Sequence, residues 1–100
     1  PPAPFGLEEM DPAGVLPPRV YTQAELRSYL QHGRRKCHTR IEALTDTTAR
    51  ARFRQNWMDF SAVELLLYNM RHVQHGAGQL NLILRQRTNS APRWVKQAKP

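Results

Sequence analysis

The stretch Ser61-Ala62-Val63-Glu64-Leu65-Leu66-Leu67-Tyr68-Asn69-Met70-Arg71-His72-Val73-Gln74-His75-Gly76-Ala77-Gly78-Gln79-Leu80-Asn81-Leu82-Ile83-Leu84-Arg85-Gln86 decides the fold. Ser61 and Glu64 form a capping box, in which the hydroxyl accepts from the backbone N–H three residues on and the carboxylate reaches back. Leu66, Met70, Val73, Ala77, Leu80 and Leu84 then step by alternating four and three, which is a heptad seam. A second row lies beside it: Leu65, Tyr68, Asn69, His72, Gly76, Gln79 and Ile83. The spacing predicts a helix over 61–86, roughly 35–40 Å long at 1.5 Å per residue. Its apolar face is wider than a contact with one other helix needs.

Working outward, residues 22–44 show the same grammar. Thr22 and Glu25 make a second capping box, and Leu26, Tyr29, Leu30, Cys37, Ile41 and Leu44 follow at helical spacing. Gly33 lies on that stripe, where glycine costs about 1 kcal/mol against alanine, and is expected to mark a close crossing with another helix. Residues 45–60 read as a connection opened by Thr45-Asp46-Thr47-Thr48, with room for one short helical turn. Phe53, Trp57, Met58 and Phe60 make it unusually apolar, so it is expected to pack over the helix ends. Residues 1–20 read as an extended proline-rich arm laid against a body, since six of the eight prolines fall in the first eighteen positions. Residues 87–100 read as a basic, irregular tail anchored by Trp94 and Val95.

The expected fold class is therefore all-α: an antiparallel hairpin of two long helices within 21–86, preceded by the arm. Two such helices cannot bury both faces against each other, and a large exposed apolar face marks a partner site. A four-helix bundle is the economical solution, completed by a second copy or by an N-terminal half outside this sequence. Position 1 is Pro rather than Met, which reads as a piece of a longer or processed chain.

Composition bounds the function classes. One hundred residues allow one small domain, and 40% hydrophobic residues is slightly low for a self-sufficient globule. No run of eighteen apolar residues exists, so no membrane span is expected. No secretory leader is visible, and the lone Cys37 cannot make an internal disulfide; both point to the cytoplasm. The net charge is +7, with Glu8, Glu9 and Asp11 ahead of any basic residue. Such a charge can attract nucleic acid, but an arginine-rich solvated face explains it more simply, and nucleic acid is not the expected partner.

His72 and His75 carry the clearest chemistry. Three apart on a helix, they lie on neighbouring parts of one face and are the candidate metal ligands. Neutral imidazole suits zinc, nickel, iron or copper. Spacing alone favours a simpler pair, with His72 bonded within a bundle and His75 at the surface. Ser61 is accounted for as a cap, and Cys37 and His38 are adjacent and do not face each other. No glycine-rich phosphate loop, nucleophile elbow or zinc-finger spacing occurs.

Leu65-Leu66-Leu67-Tyr68-Asn69-Met70-Arg71-His72-Val73-Gln74-His75, followed by Gln79-Leu80-Asn81-Leu82-Ile83-Leu84-Arg85, resembles the last helix of the DinB-like (DinB/YfiT) superfamily. The arm Pro4-Phe5-Gly6-Leu7-Glu8-Glu9-Met10-Asp11-Pro12-Ala13-Gly14-Val15-Leu16-Pro17, the Tyr21-Thr22 start and the Ala91-Pro92-Arg93-Trp94 tail fit the same group. The resemblance spans nearly this whole chain and the C-terminal half of a usual member. It implies half of a four-helix bundle in which many members hold a divalent metal with three histidines. Two of those ligands are the outer members of a His-x-x-x-His pair on the last helix. His72 corresponds to the first, position 76 to the second is Gly76, and His75 corresponds to the middle histidine, usually not a ligand.

The expectation is thus a DinB-like bundle protein of uncharacterised activity with a degenerate or incomplete histidine site, binding zinc, nickel or iron or no metal at all. The resemblance also implies an alternative, a divalent-metal-dependent transferase or hydrolase acting on a small thiol or other small molecule once the bundle is completed. A basic nucleic-acid-binding helical module is the third reading. Whether the chain is an enzyme is left open by Gly76. A homo-oligomer or the missing half is the expected partner.

Overall fold

The computed structural model describes Phe5, residues 19–97 and Lys99. Most of the arm expected over 1–20 lies outside the described residues. The chain divides into two units, one up to Thr45 and one from Asp46 onward.

The first unit is built on α1, Gln23–Glu42. Its start is the expected capping box: the Glu25 N–H donates to Thr22 Oγ1 at 3.2 Å, and the Thr22 N–H donates to Glu25 Oε2 at 2.8 Å. Arg19 grips the same carboxylate with both terminal nitrogens, at 3.1 and 3.0 Å. This fork holds the Glu25 pKa down at about 2, helped by the Thr22 backbone N–H. Arg19 also lies 4.7 Å above the Tyr21 ring. Phe5 packs between Tyr21 and Tyr29, 4.5 Å from each ring centre, and is the one buried residue among those described. A Cβ at Gly33 would meet nothing within 4 Å, so the close crossing expected there is not found.

The second unit runs from a one-turn helix α2 (Asp46–Ala49), through strands β1 (Arg52–Gln55) and β2 (Met58–Ser61), into α3, Ala62–Thr88. The all-α expectation needs correction here. The protein is mostly helical, but 45–60 carries an antiparallel two-stranded sheet instead of a plain connection. Its register pairs Arg52 with Ser61, Phe53 with Phe60, Arg54 with Asp59 and Gln55 with Met58. Paired residues share a face, so Phe53 and Phe60 lie together while Arg52, Arg54 and Asp59 line the other side. Asp59 Oδ1 accepts from Arg52 Nη2 at 2.7 Å and Arg52 Nε at 3.0 Å, and from Arg54 Nε at 3.3 Å. Asn56 makes the turn possible with φ of 52°, a left-handed conformation that asparagine tolerates.

α3 grows directly from β2, with Ser61 serving as last strand residue and N-cap. The Ser61 N–H donates to Glu64 Oε2 at 2.7 Å, and the Glu64 N–H to Ser61 Oγ at 3.2 Å. The helix runs to Thr88 rather than 86, because Asn89 caps it in the left-handed region and the Thr88 hydroxyl donates to the Leu84 carbonyl at 2.8 Å. Beyond it, Trp94 and Val95 are 83% and 74% exposed, so they do not anchor the tail as expected. Among the described residues, no helix is long and apolar enough to cross a membrane.

Candidate functional site

The hairpin and the first turns of α3 build an aromatic ladder. Trp57 meets Phe60 edge-on at 6.4 Å between ring centres and Tyr68 at 6.3 Å. Phe60 lies 5.3 Å from Tyr68, and Tyr68 meets the His72 imidazole edge-on at 4.5 Å. The geometry follows from the helix: Tyr68 and His72 are four apart and therefore stack along one face. Tyr68 thus joins the sheet to the histidine segment. Offset and edge-to-face pairs of this kind are each worth about 0.5–1.5 kcal/mol beyond their area.

Next to the ladder, Tyr68, Arg71, His72, Gln74 and His75 form an open, shallow patch on the surface of α3. The two candidate ligands therefore lie on one patch of the helix surface, with Arg71 beside them. Arg71 and Tyr68 are the additions that histidine spacing alone does not reveal. The sequence places Tyr68 in the second apolar row, four residues before His72, and the structure adds its contacts with Phe60 and Trp57 of the hairpin. Gly76 is half-buried, yet a Cβ there would meet nothing within 4 Å, so the backbone has room for a side chain at this position.

The donor set decides how far metal chemistry can be carried. A structural zinc takes four protein ligands and a catalytic one takes three plus water. His72 and His75 supply two, and among the described residues no group of three or more histidine, cysteine or acidic side chains forms. The residues present do not fit a resident metal by themselves, so no chemical step is derived through one.

Two of the three acidic side chains of this unit, Glu64 and Asp59, are committed elsewhere. Glu64 has its pKa lowered, first by the Ser61 backbone N–H and also by Arg52, whose Nη1 lies 3.7 Å away. Asp59 is lowered chiefly by its hydrogen bonds from Arg52. Both serve the helix start and the hairpin, and neither lies on that patch. On α1, burial and the neighbouring Lys36 and Arg35 lower the pKa of His32, while His38 faces Glu42 at 3.3 Å and Cys37 is exposed.

These features define a small, mostly helical protein with one β-hairpin among the described residues and an exposed histidine–arginine patch on its longest helix. No protein-family model, curated protein or solved structure matches the chain.

Proposed function

We propose that this chain is a DinB-like helical module that builds a bundle with a further polypeptide and has a degenerate, incomplete histidine site. The observation that carries the reading is α3 itself. Its seam residues Met70, Val73, Leu80 and Leu84 are all exposed, with Val73 at 71% and Leu80 at 68%. A soluble chain rarely leaves such a stripe uncovered. Each of these side chains is worth roughly 1.5–3 kcal/mol when fully buried, which is the driving force for association.

The degenerate-site half of the reading is supported by Gly76 in the place where the resemblance puts a ligand, and by the two-donor set described above. Calorimetric titration of the chain with zinc and with nickel is expected to show no binding tighter than about 10 µM. Tight binding at one metal per chain would overturn this half and favour the alternative, a metal-dependent thiol transferase or hydrolase. Sedimentation velocity tests the other half: association is expected, and a cooperatively melting monomer would overturn it.

Gly76→His sharpens the same question. The open backbone at this position accepts a side chain. If the resemblance holds, histidines at 72 and 76 would share one metal, and nickel affinity is expected to rise at least tenfold, about 1.4 kcal/mol. An unchanged titration would count against the DinB-like assignment of this helix.

A further inference from the structure

We infer that α3 pairs with α3 of a second copy, antiparallel, about a two-fold axis at the level of residue 75. This rests on the bundle-forming reading and adds which face associates, with what, and in which direction.

The seam has the symmetry such a pair requires. Leu66, Val73 and Leu80 occupy one core position of the heptad, and Met70, Ala77 and Leu84 the other. In an antiparallel pair each core position faces the opposite kind on the partner helix. Residues 66 and 84, 70 and 80, and 73 and 77 are equidistant from 75. One register therefore sets leucine against leucine at both ends, methionine against leucine inside them, and valine against alanine at the centre. Five of the six are exposed, and Leu66 is half-buried.

The flanks of the seam agree. The adjoining positions are Leu67, Gln74 and Asn81 on one side and Asn69, Gly76 and Ile83 on the other. None is charged, although the chain carries +7. The two-fold places Gly76 near the axis, beside Gly76 of the second copy. The two-fold also places Gln74 opposite Gln74, a pair able to exchange amide hydrogen bonds.

Charge selects the direction. α3 has Glu64 in its first turn and Arg85 and Arg87 in its last. The register sets position 64 against 86, so each end brings the Glu64 carboxylate of one copy between Arg85 and Arg87 of the other. Glu64 remains 59% exposed while its Oε2 serves the cap. Arg87 continues the seam in either direction: the antiparallel register sets it against Val63 and next to Glu64, whereas a parallel pair sets Arg87 against Arg87 and Arg85 beside Arg85. Opposed helix dipoles favour the antiparallel pair as well.

Two measurements on the full chain test this. In sedimentation velocity, Val73→Glu is expected to weaken association at least tenfold, while Leu82→Glu, on a different side of α3, leaves it unchanged. In a Cys37→Ser background, equimolar Leu67→Cys and Asn81→Cys chains are mixed and gently oxidised. The crossed 67–81 disulfide is expected to dominate, because the two residues lie on the same flank at opposite ends. Predominant 67–67 and 81–81 disulfides would overturn the antiparallel register. Association indifferent to Val73→Glu would overturn the face while leaving the bundle reading intact. A wild-type monomer at every concentration would overturn both. A larger assembly that forms the crossed disulfide and is broken by Val73→Glu supports the pair as its core.

Discussion

The two halves of α3 obey one sequence pattern and meet different fates. In the first turns, Ala62, Leu65, Leu66 and Tyr68 are half-buried, and the hairpin lays Phe60 on Tyr68. From Val73 onward, every residue except Gly76 is exposed to the end of the helix. The amphipathic stripe is continuous, so the difference lies in what the chain provides to cover it. A short hairpin reaches about two turns. Beyond that, the stripe stays exposed and the helix rests on intrinsic propensity, whereas most helical stability in proteins comes from packing of the amphipathic face.

The contrast can be broken most strongly at Phe60. Phe60→Ala removes the ring that covers Tyr68, and a half-buried aromatic of this kind should contribute about 2 kcal/mol, below the full core value. Hydrogen exchange should accelerate through β1, β2 and the first turns of α3, with little change after Val73. Uniform acceleration along the helix would show that the two halves are one cooperative unit. Ser61→Ala is expected to cost about 1 kcal/mol through loss of the cap, again seen first at the N-terminal half.

Gly78→Ala probes the other half. A Cβ there would meet nothing within 4 Å, so the helix should gain about 1 kcal/mol from propensity alone. The gain should appear as slower exchange after Val73 and a higher melting temperature. A loss of stability would mean that position 78 is closely covered in solution.

The smallest effect is acid sensitivity at the helix starts. The Glu25 pKa is depressed from its ordinary 4.5 to about 2. A depressed folded pKa gives support that is complete above the ordinary value and is lost as pH falls toward the folded one. Fraying of the first turn of α1 is therefore expected between pH 4.5 and about 2, followed by the amide resonance of Thr22. Arg19→Gln should move that transition upward. The start of α3 should fray on acidification in the same direction, as the Glu64 carboxylate protonates and releases the Ser61 N–H.

Both long helices and both caps were legible because their signals are local: Thr22 with Glu25, Ser61 with Glu64, and apolar residues at steps of three and four. The hairpin was harder to see. Residues 52–60 contain no β-branched residue, and the Asn56-Trp57 turn lacks glycine, so neither usual strand nor usual turn chemistry appears. A period-two trace existed in Arg52-Phe53-Arg54 against Asp59-Phe60, but it is four residues long on each side. His72 and His75 sharing a face follows from helix geometry. The Tyr68 ring beside His72 follows from the same spacing, whereas Phe60 and Trp57 on Tyr68 follow only from the fold. Trp94 and Val95 misled because apolar character alone cannot specify what a tail will touch.

The ladder from Trp57 to Tyr68 also makes the hairpin an optical gauge. With the two rings 6.3 Å apart, excitation of Tyr68 is passed to the indole of Trp57. Whenever the hairpin lifts from α3 that transfer falls, and phenolic emission returns at the expense of indole emission. Trp94, placed on the other side of the helix terminus, supplies a constant background that Trp94→Phe would remove. The protein thus carries its own reporter of whether the first half of its longest helix is covered, readable without a label.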